Sequence, residues 1–315
     1  MARAADALRR GELVAFPTET VYGLGADASN AQAVKRLFSV KRRPPDHPVI
    51  VHIARVEQLD ELAIDVPDSA RALARAFWPG PLTLVVRRNP ERVAPEVTGG
   101  RDTVGLRVPD HPLARALLDA FGGGVAAPSA NRFGKVSPTS AAHVRHDLGD
   151  DVAVVLDGGA CRVGIESTIV DVTAAEPAIL RVGAVSRARV EATIGRRCAV
   201  VTTGDVAAPG TLASHYAPRA AVQIVDAGAV ARAAREHIAA GKRVGMLALQ
   251  QSFSSLPDEL VILDPPRDAE EYARFLYARL RDADEQGLDV LLVVVPPGTD
   301  GLGAAVADRV SRAAG

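Results

Sequence analysis

SARALARAFWPGPLTLVV, Ser69 to Val86, changes periodicity part-way along. SARALARAFW reads as a helix, Pro79-Gly80-Pro81 stops it, and LTLVV continues as a buried strand. The same succession repeats outward in both directions. LVAF (Leu13 to Phe16) reads as a buried strand. A helix is expected from about Ala31, with Ser29 and Gln32 spaced as a capping box and Val34, Leu37 and Phe38 on one face. VIVHI is a strand, and TVGLRV precedes a helix opened by Pro112 and closed at Gly122 to Gly124. GVAAP, VAVVLD and STIVDV add short strands, and VSRARVEATIG is a helix ending at Gly195.

Between Cys198 and Pro218 the periodicity fades into TTGDVAAPGTLASHYAP, a linker composition. A second alternating unit follows: VQIVDA, a helix to Ala240, RVGMLAL, LVILD, a long helix from Asp268 to Gln286, DVLLVVVPP and a terminal helix. Strands separated by helices imply an α/β fold with a largely parallel or mixed sheet. The division expected is a catalytic domain over 1–197, a linker over 198–218 and a smaller α/β domain over 219–315.

At 315 residues the chain has room for two domains, and 48% apolar against 24% charged residues describes a soluble globular protein with ample core. Lys and Arg number 37 against 38 Asp and Glu, so the molecule as a whole is no electrostatic glove for nucleic acid. Any basic feature must be local. Aromatics at 4% leave few rings for stacking bases. Cys161 and Cys198 form no C-x-x-C pair and suit a reducing cytosol. No run approaches the ~20 apolar residues of a membrane span. A cytoplasmic protein without a membrane partner is expected.

No Walker-type phosphate loop, G-x-S-x-G elbow or H-E-x-x-H helix is present. GLGADA at Gly23 and GLGAAV at Gly301 imitate a dinucleotide fingerprint weakly and read better as glycines permitting tight turns. His47 and His52 lack the i, i+4 spacing and a nearby Cys, so no zinc site is expected. Small polar clusters do follow the strands: Thr18, Glu19 and Thr20; Ser129, Asn131, Ser137 and Thr139; Ser167, Thr168 and Arg181. Each alone is a turn or cap. Together they suggest a crevice at the edge of an α/β sheet, furnished with the donors a nucleotide phosphate chain needs. KRRPPDHPVIVH, Lys41 to His52, fits either a solvated basic loop or a phosphate loop. Its prolines hold Arg43 extended and a buried strand anchors its far end, which weighs toward phosphate.

PTETVYGLG, KRRPPDHPVIVHI, APSANRFGKVSPT, GIESTIVD and ILRVG closely resemble the motifs of the L-threonylcarbamoyl-adenylate synthases, the YrdC-type enzymes. The resemblance covers about Gly11 to Gly195, and APGTLASHYAP with the unit after it looks like the linker and Rossmann-like C-terminal domain of the two-domain form. It implies a YrdC-like twisted mixed sheet and a reaction of ATP, L-threonine and bicarbonate that yields threonylcarbamoyl-AMP and pyrophosphate. The product serves threonylcarbamoylation of the adenosine beside the anticodon, through downstream tRNA threonylcarbamoyl-transfer machinery. Whether this chain touches tRNA itself stays open.

By the same resemblance Lys41 and Arg43 are the catalytic cations on the triphosphate, with Mg2+ bound through ATP and no metal ligand from a protein side chain. Thr20, His52, Arg107, Ala127 and Ser167 would line the threonine side. His47, Thr103, Ser129, Asn131, Ser137 and Arg181 would face the nucleotide. His215 and Tyr216 would fold back over the site as a lid. Two departures stand out: Ala127 occupies a position where many relatives carry a hydroxyl, and the linker lacks the aromatic and basic residues common before H-Y. The rival reading is an RNA-binding module of the same fold without adenylate synthesis. On the phosphate reading, neither Lys41 nor Arg43 is expected to be core.

Overall fold

The helix expected at Ser69 runs Asp68–Phe77 and ends at Trp78, whose backbone is already extended. Proline follows directly and disfavours helical geometry in the residue before it. The Trp78 indole N–H donates to the Leu82 carbonyl at 2.7 Å, tying helix end to strand start. The computed structural model describes residues 1–201, 216–251, 253 and 255–315, and the chain divides into two compact units.

In the first unit the described strands are β1 (Val14–Phe16), β2 (Gly23–Asp27), β3 (Val51–His52), β4 (Ala63–Ile64), β5 (Leu82–Arg88) and β6 (Thr103–Arg107), then β7 (Val125–Ala126), β8 (Val154–Val155), β9 (Thr168–Asp171), β10 (Ala178–Arg181) and β11 (Ala199–Val200). They form one sheet in the order β11-β10-β9-β5-β6-β3-β7-β2-β1-β8, with β4 paired to β5. β3/β6 and β5/β9 are parallel, while β5/β6, β3/β7 and β9/β10 are antiparallel. This is the mixed sheet expected.

Side chains alternate between the two faces of a strand. On one face Leu84, Val86, Leu106, Val170 and Ile179 pack against Leu73, Ala74, Phe77 and Val190 in a large core cluster. The other face is covered around β1 and β7, where Val14, Phe16 and Val125 pack with Leu8, Leu117 and Leu118. Toward β5 and β6 it carries only a small cluster of Ile50, Ile169 and Leu180, and Val85, Thr103 and Gly105 stay partly exposed. One face therefore holds the sheet in place, and the other is left available only across β5 and β6.

Three local expectations change. The helix Ala31–Lys41 is capped by Asn30, whose Oδ1 accepts from the Gln32 and Ala33 amides, and not by Ser29. Asn30 directly precedes the first helical residue, so its short side chain reaches those amides; Ser29 donates to Asp27 instead. GLGADA is a strand, not a tight turn: a Cβ on Gly25 would stand 2.8 Å from Val125 Cγ1 and 3.0 Å from the Phe16 ring. The glycine permits close approach of a neighbouring strand. GLGAAV opens the helix Gly301–Ala314, with Asp300 as its cap. An N-terminal helix, Ala2–Arg9, also appears, burying Ala4 and Leu8 with Leu117 and Leu118.

The second unit comprises Gly134–Val136, Val163–Ile165 and the described residues from 216 to the C-terminus. Strands β12 (Ala221–Ile224), β13 (Val244–Leu247), β14 (Val261–Ile262) and β15 (Val290–Val293) are all parallel, in the order β12-β15-β13-β14. Helices Val230–Ala239, Ala269–Glu285 and Gly301–Ala314 alternate with them, giving the Rossmann-like arrangement expected. Among the described residues no helix is long and apolar enough to cross a membrane.

Candidate active site

Polar side chains of the first unit gather at two levels, one on the uncovered stretch of this sheet face and one in the loop that enters β3. Parallel pairing puts His52 of β3 opposite Arg107 of β6. Continuing that register backward sets Ile50 level with Gly105 and Pro48 level with Thr103. Gly105 keeps the middle flat, since a Cβ there would meet Thr83 Cγ2 at 3.2 Å and Ile50 Cγ1 at 3.4 Å. From Arg107 to Thr103 is four residues of strand, about 13 Å at ~3.3 Å each.

The first level centres on Arg107, which is buried. Its Nε donates to the Gly80 carbonyl at 3.2 Å, one Nη to Thr20 Oγ1 at 2.9 Å and the other to Glu19 Oε1 at 2.6 Å. Thr18 holds the turn that presents Thr20. Its hydroxyl donates to the Val21 carbonyl and accepts from the amides of Thr20 and Val21. With that proton used, the Thr20 hydroxyl is the donor in its 2.8 Å bond to Thr18 and accepts from Arg107. Across β5, Thr83 bonds Ser167 through their hydroxyls at 2.8 Å. Arg181 donates to the Ser167 hydroxyl at 3.1 Å and to its carbonyl at 3.0 Å. Ser137 donates to Glu166 Oε1 at 2.7 Å. Arg181, expected beside the nucleotide, thus bonds directly to Ser167 of the threonine set.

The second level holds the basic loop. Lys41 is 1% exposed, and its ammonium donates to the carbonyls of Ser129 and Asn131. Phe133 donates its amide to the Lys41 carbonyl at 2.8 Å, so the two segments are cross-tied. Arg43 is 8% exposed, donates to the Pro48 carbonyl at 2.9 Å and lies over the Phe133 ring, against which His47 packs edge-on. Neither cation is the surface group expected. Both are folded inward, because each finds backbone carbonyls to satisfy a charge that burial would otherwise penalise. Burial, and then the neighbouring Arg43 charge, push the Lys41 ammonium well below its ordinary value.

Ala127 is buried beside these groups and donates its amide to the Ile50 carbonyl. Tyr216 is 1% exposed within the second unit, its ring 5.3 Å from that of Tyr277 and under the Arg309 guanidinium, so it serves there as core. His215 lies outside the described residues. Sequence reasoning placed Glu19 in a polar cluster without a role and passed over Glu166, Thr83 and Phe133. The first two lie inside quoted motifs, but nothing local shows that a carboxylate will face an arginine 88 positions away.

His52 is 4% exposed, and its Nδ1 has no hydrogen-bond partner among the described residues. Burial, and then the Arg107 charge, hold its pKa well below the ordinary 6.5. The unfolded chain therefore takes up a proton near pH 6.5 that the folded chain refuses, so stability falls as pH drops below about 6.5. Urea midpoints measured from pH 8 to 5 should decline over that range. In His52→Gln the decline should be shallower; an unchanged slope would discount His52 as its source.

Two family models match the chain: Sua5_yciO_yrdC, described as telomere recombination, over residues 6–183, and the threonylcarbamoyl-AMP synthase C-terminal domain over 181–315. The chain is 41% identical to threonylcarbamoyl-AMP synthase of Bacillus subtilis, with 100% of this chain and 93% of that protein covered. It is 45% identical to that of Pyrococcus abyssi, with 99% and 93% covered. Among solved structures, Pyrococcus abyssi Sua5 complexed with L-threonine superposes with a TM-score of 0.91 at 40% identity, covering 99% of this chain and 93% of that one.

Proposed function

The chain belongs to the Sua5 family of threonylcarbamoyl-AMP synthases, and we propose from that premise how its residues divide the work. The activity is adenylate transfer to a threonine-derived acceptor, with ATP and L-threonine as substrates. Bicarbonate supplies the remaining carbon. The threonine amine takes up CO2 as a carbamate, a carbamate oxygen attacks the α-phosphate, and pyrophosphate leaves. The substrate provides the nucleophile, so the protein's part is positioning and charge neutralisation.

The observation that carries this reading is the pair of polar groups, one on the sheet face at Arg107 and one in the loop that enters β3. The first level, with Thr20, His52, Arg107 and Ser167, offers hydroxyls, a neutral imidazole and a guanidinium fork suited to an amino acid and its carboxylate. The second, with Lys41, Arg43, His47 and Asn131, offers the cations and amide suited to phosphates. The strand from Arg107 to Thr103, which is level with Pro48 at the end of the basic loop, spans about 13 Å at ~3.3 Å per residue, a length that suits an amino acid joined to a nucleotide. Mg2+ enters with ATP. It would be held by phosphate oxygens and water, the usual setting of Mg2+ on a nucleotide. The product feeds the tRNA threonylcarbamoyl-transfer machinery. An RNA-binding role fits less well, because Lys41 and Arg43 are turned inward and do not form a surface that could track a phosphate backbone.

Pyrophosphate release followed with single amino acids tests the reading. Release should require threonine and bicarbonate together, and serine should be used more poorly by about 1–3 kcal/mol in kcat/KM, the usual worth of one methyl in a pocket. Equal turnover of ATP with no amino acid present would refute it.

A further inference from the structure

Glu19 is 1% exposed, and it sits against the guanidinium that is to receive the substrate carboxylate. An anion there competes with the anion to be bound, so its presence calls for a reason. Both of its oxygens are engaged: Oε1 accepts from Arg107 at 2.6 Å, and Oε2 accepts from the Asp110 amide at 2.9 Å. The carboxylate is thereby fixed to the backbone just beyond β6, which makes it a rigid stop for the guanidinium. Glu19, Thr20 and Gly80 together take one N–H from each nitrogen of Arg107. A guanidinium has five N–H groups in one plane, so two remain, one on each Nη. A lone buried arginine would be free to swing and would attract any anion. Held on three sides, it keeps two donors in a set plane.

We propose that Glu19 is a positioning residue for the adenylate-forming reaction: it orients Arg107 so that the two remaining N–H groups meet the carboxylate of the amino-acid substrate. The proposal rests on the reading of Arg107 as the carboxylate anchor. Glu19 itself does not touch substrate. Its effect is therefore confined to the amino-acid side and leaves the nucleotide side alone.

Glu19→Asp separates position from charge. It keeps the negative charge beside Arg107 but withdraws the carboxylate by one carbon–carbon bond, about 1.5 Å. A misplacement of that size costs up to about a hundredfold where orientation matters. The threonine KM of Glu19→Asp should rise about 10- to 100-fold, with the ATP KM close to wild type and the melting temperature modestly lower. Glu19→Gln should raise the threonine KM as well, because its amide nitrogen cannot accept from Asp110 or Arg107. A threonine KM within twofold of wild type in Glu19→Asp overturns the proposal. So does a variant whose threonine KM, ATP KM and melting temperature all worsen together, which marks a general structural role. L-threoninamide distinguishes the two layers. If wild-type enzyme uses it as well as threonine, the carboxylate reading of Arg107 fails, and the proposal with it. If wild type rejects it while Glu19→Asp keeps a wild-type KM, only the role of Glu19 fails.

Discussion

Arg107→Ala should be among the most damaging single changes in this chain, lowering stability by about 3–5 kcal/mol and kcat/KM for threonine by on the order of a hundredfold. The stability loss comes from Glu19. Arg107 and Glu19 are 4% and 1% exposed and 2.6 Å apart, so removing the cation strands a carboxylate that water cannot reach. Thr20 and the Gly80 carbonyl lose their donors at the same time. The activity loss comes from the missing fork. Arg107→Lys separates the two effects, since an ammonium can partner Glu19 but cannot present two coplanar donors. It should recover much of the stability in urea unfolding and little of the threonine kcat/KM. Recovery of both would mean that charge alone is needed at this position.

The second large effect is expected at Lys41. Lys41→Ala removes an ammonium that donates to the carbonyls of Ser129 and Asn131 from a side chain that is 1% exposed. Each buried carbonyl left without a partner costs about 1–3 kcal/mol, and a lost cation near the transferring phosphate costs on the order of a hundredfold in rate. A Lys41 outside the core, as expected from the sequence, would leave stability unchanged; the buried Lys41 does not. Lys41→Met keeps the apolar stem while deleting the charge. It should be more stable than Lys41→Ala and equally slow in pyrophosphate release. A wild-type rate in Lys41→Met would assign the residue to scaffolding alone.

Much of the first unit could be read locally. Pro79-Gly80-Pro81 ends one helix, Pro112 and Gly122 bracket another, and Ser186 and Gly195 bracket a third, because capping and breaking depend on residues within a few positions of each other. Most strands were read, VIVHI as longer than the Val51 and His52 that pair, but β2, β4, β10 and β11 were not. The glycine segments were the weak point. Gly25 looks like a turn residue until Val125 and Phe16 are seen packed against it. At the site, motif resemblance picked out Thr20, His52, Arg107 and Ser167, and the fold brings them to one level of one sheet face. It gave no role to Glu19, named only as part of a polar cluster, because its partner lies 88 positions away.

The sequence by itself determined the alternation of helices and strands, the two-domain α/β composition and the family motifs, since each depends on spacing along the chain. Only the tertiary structure decided which residues become partners. Glu19 meets Arg107 across 88 positions, and Lys41 meets Ser129 and Asn131 across 88 and 90. Those pairings follow from strand order, which puts β3 beside β6 and β7 beside β2. They also settled which charges are buried. A cation's exposure depends on whether distant backbone carbonyls arrive to satisfy it, and the stretch KRRPPDHP carries no record of them.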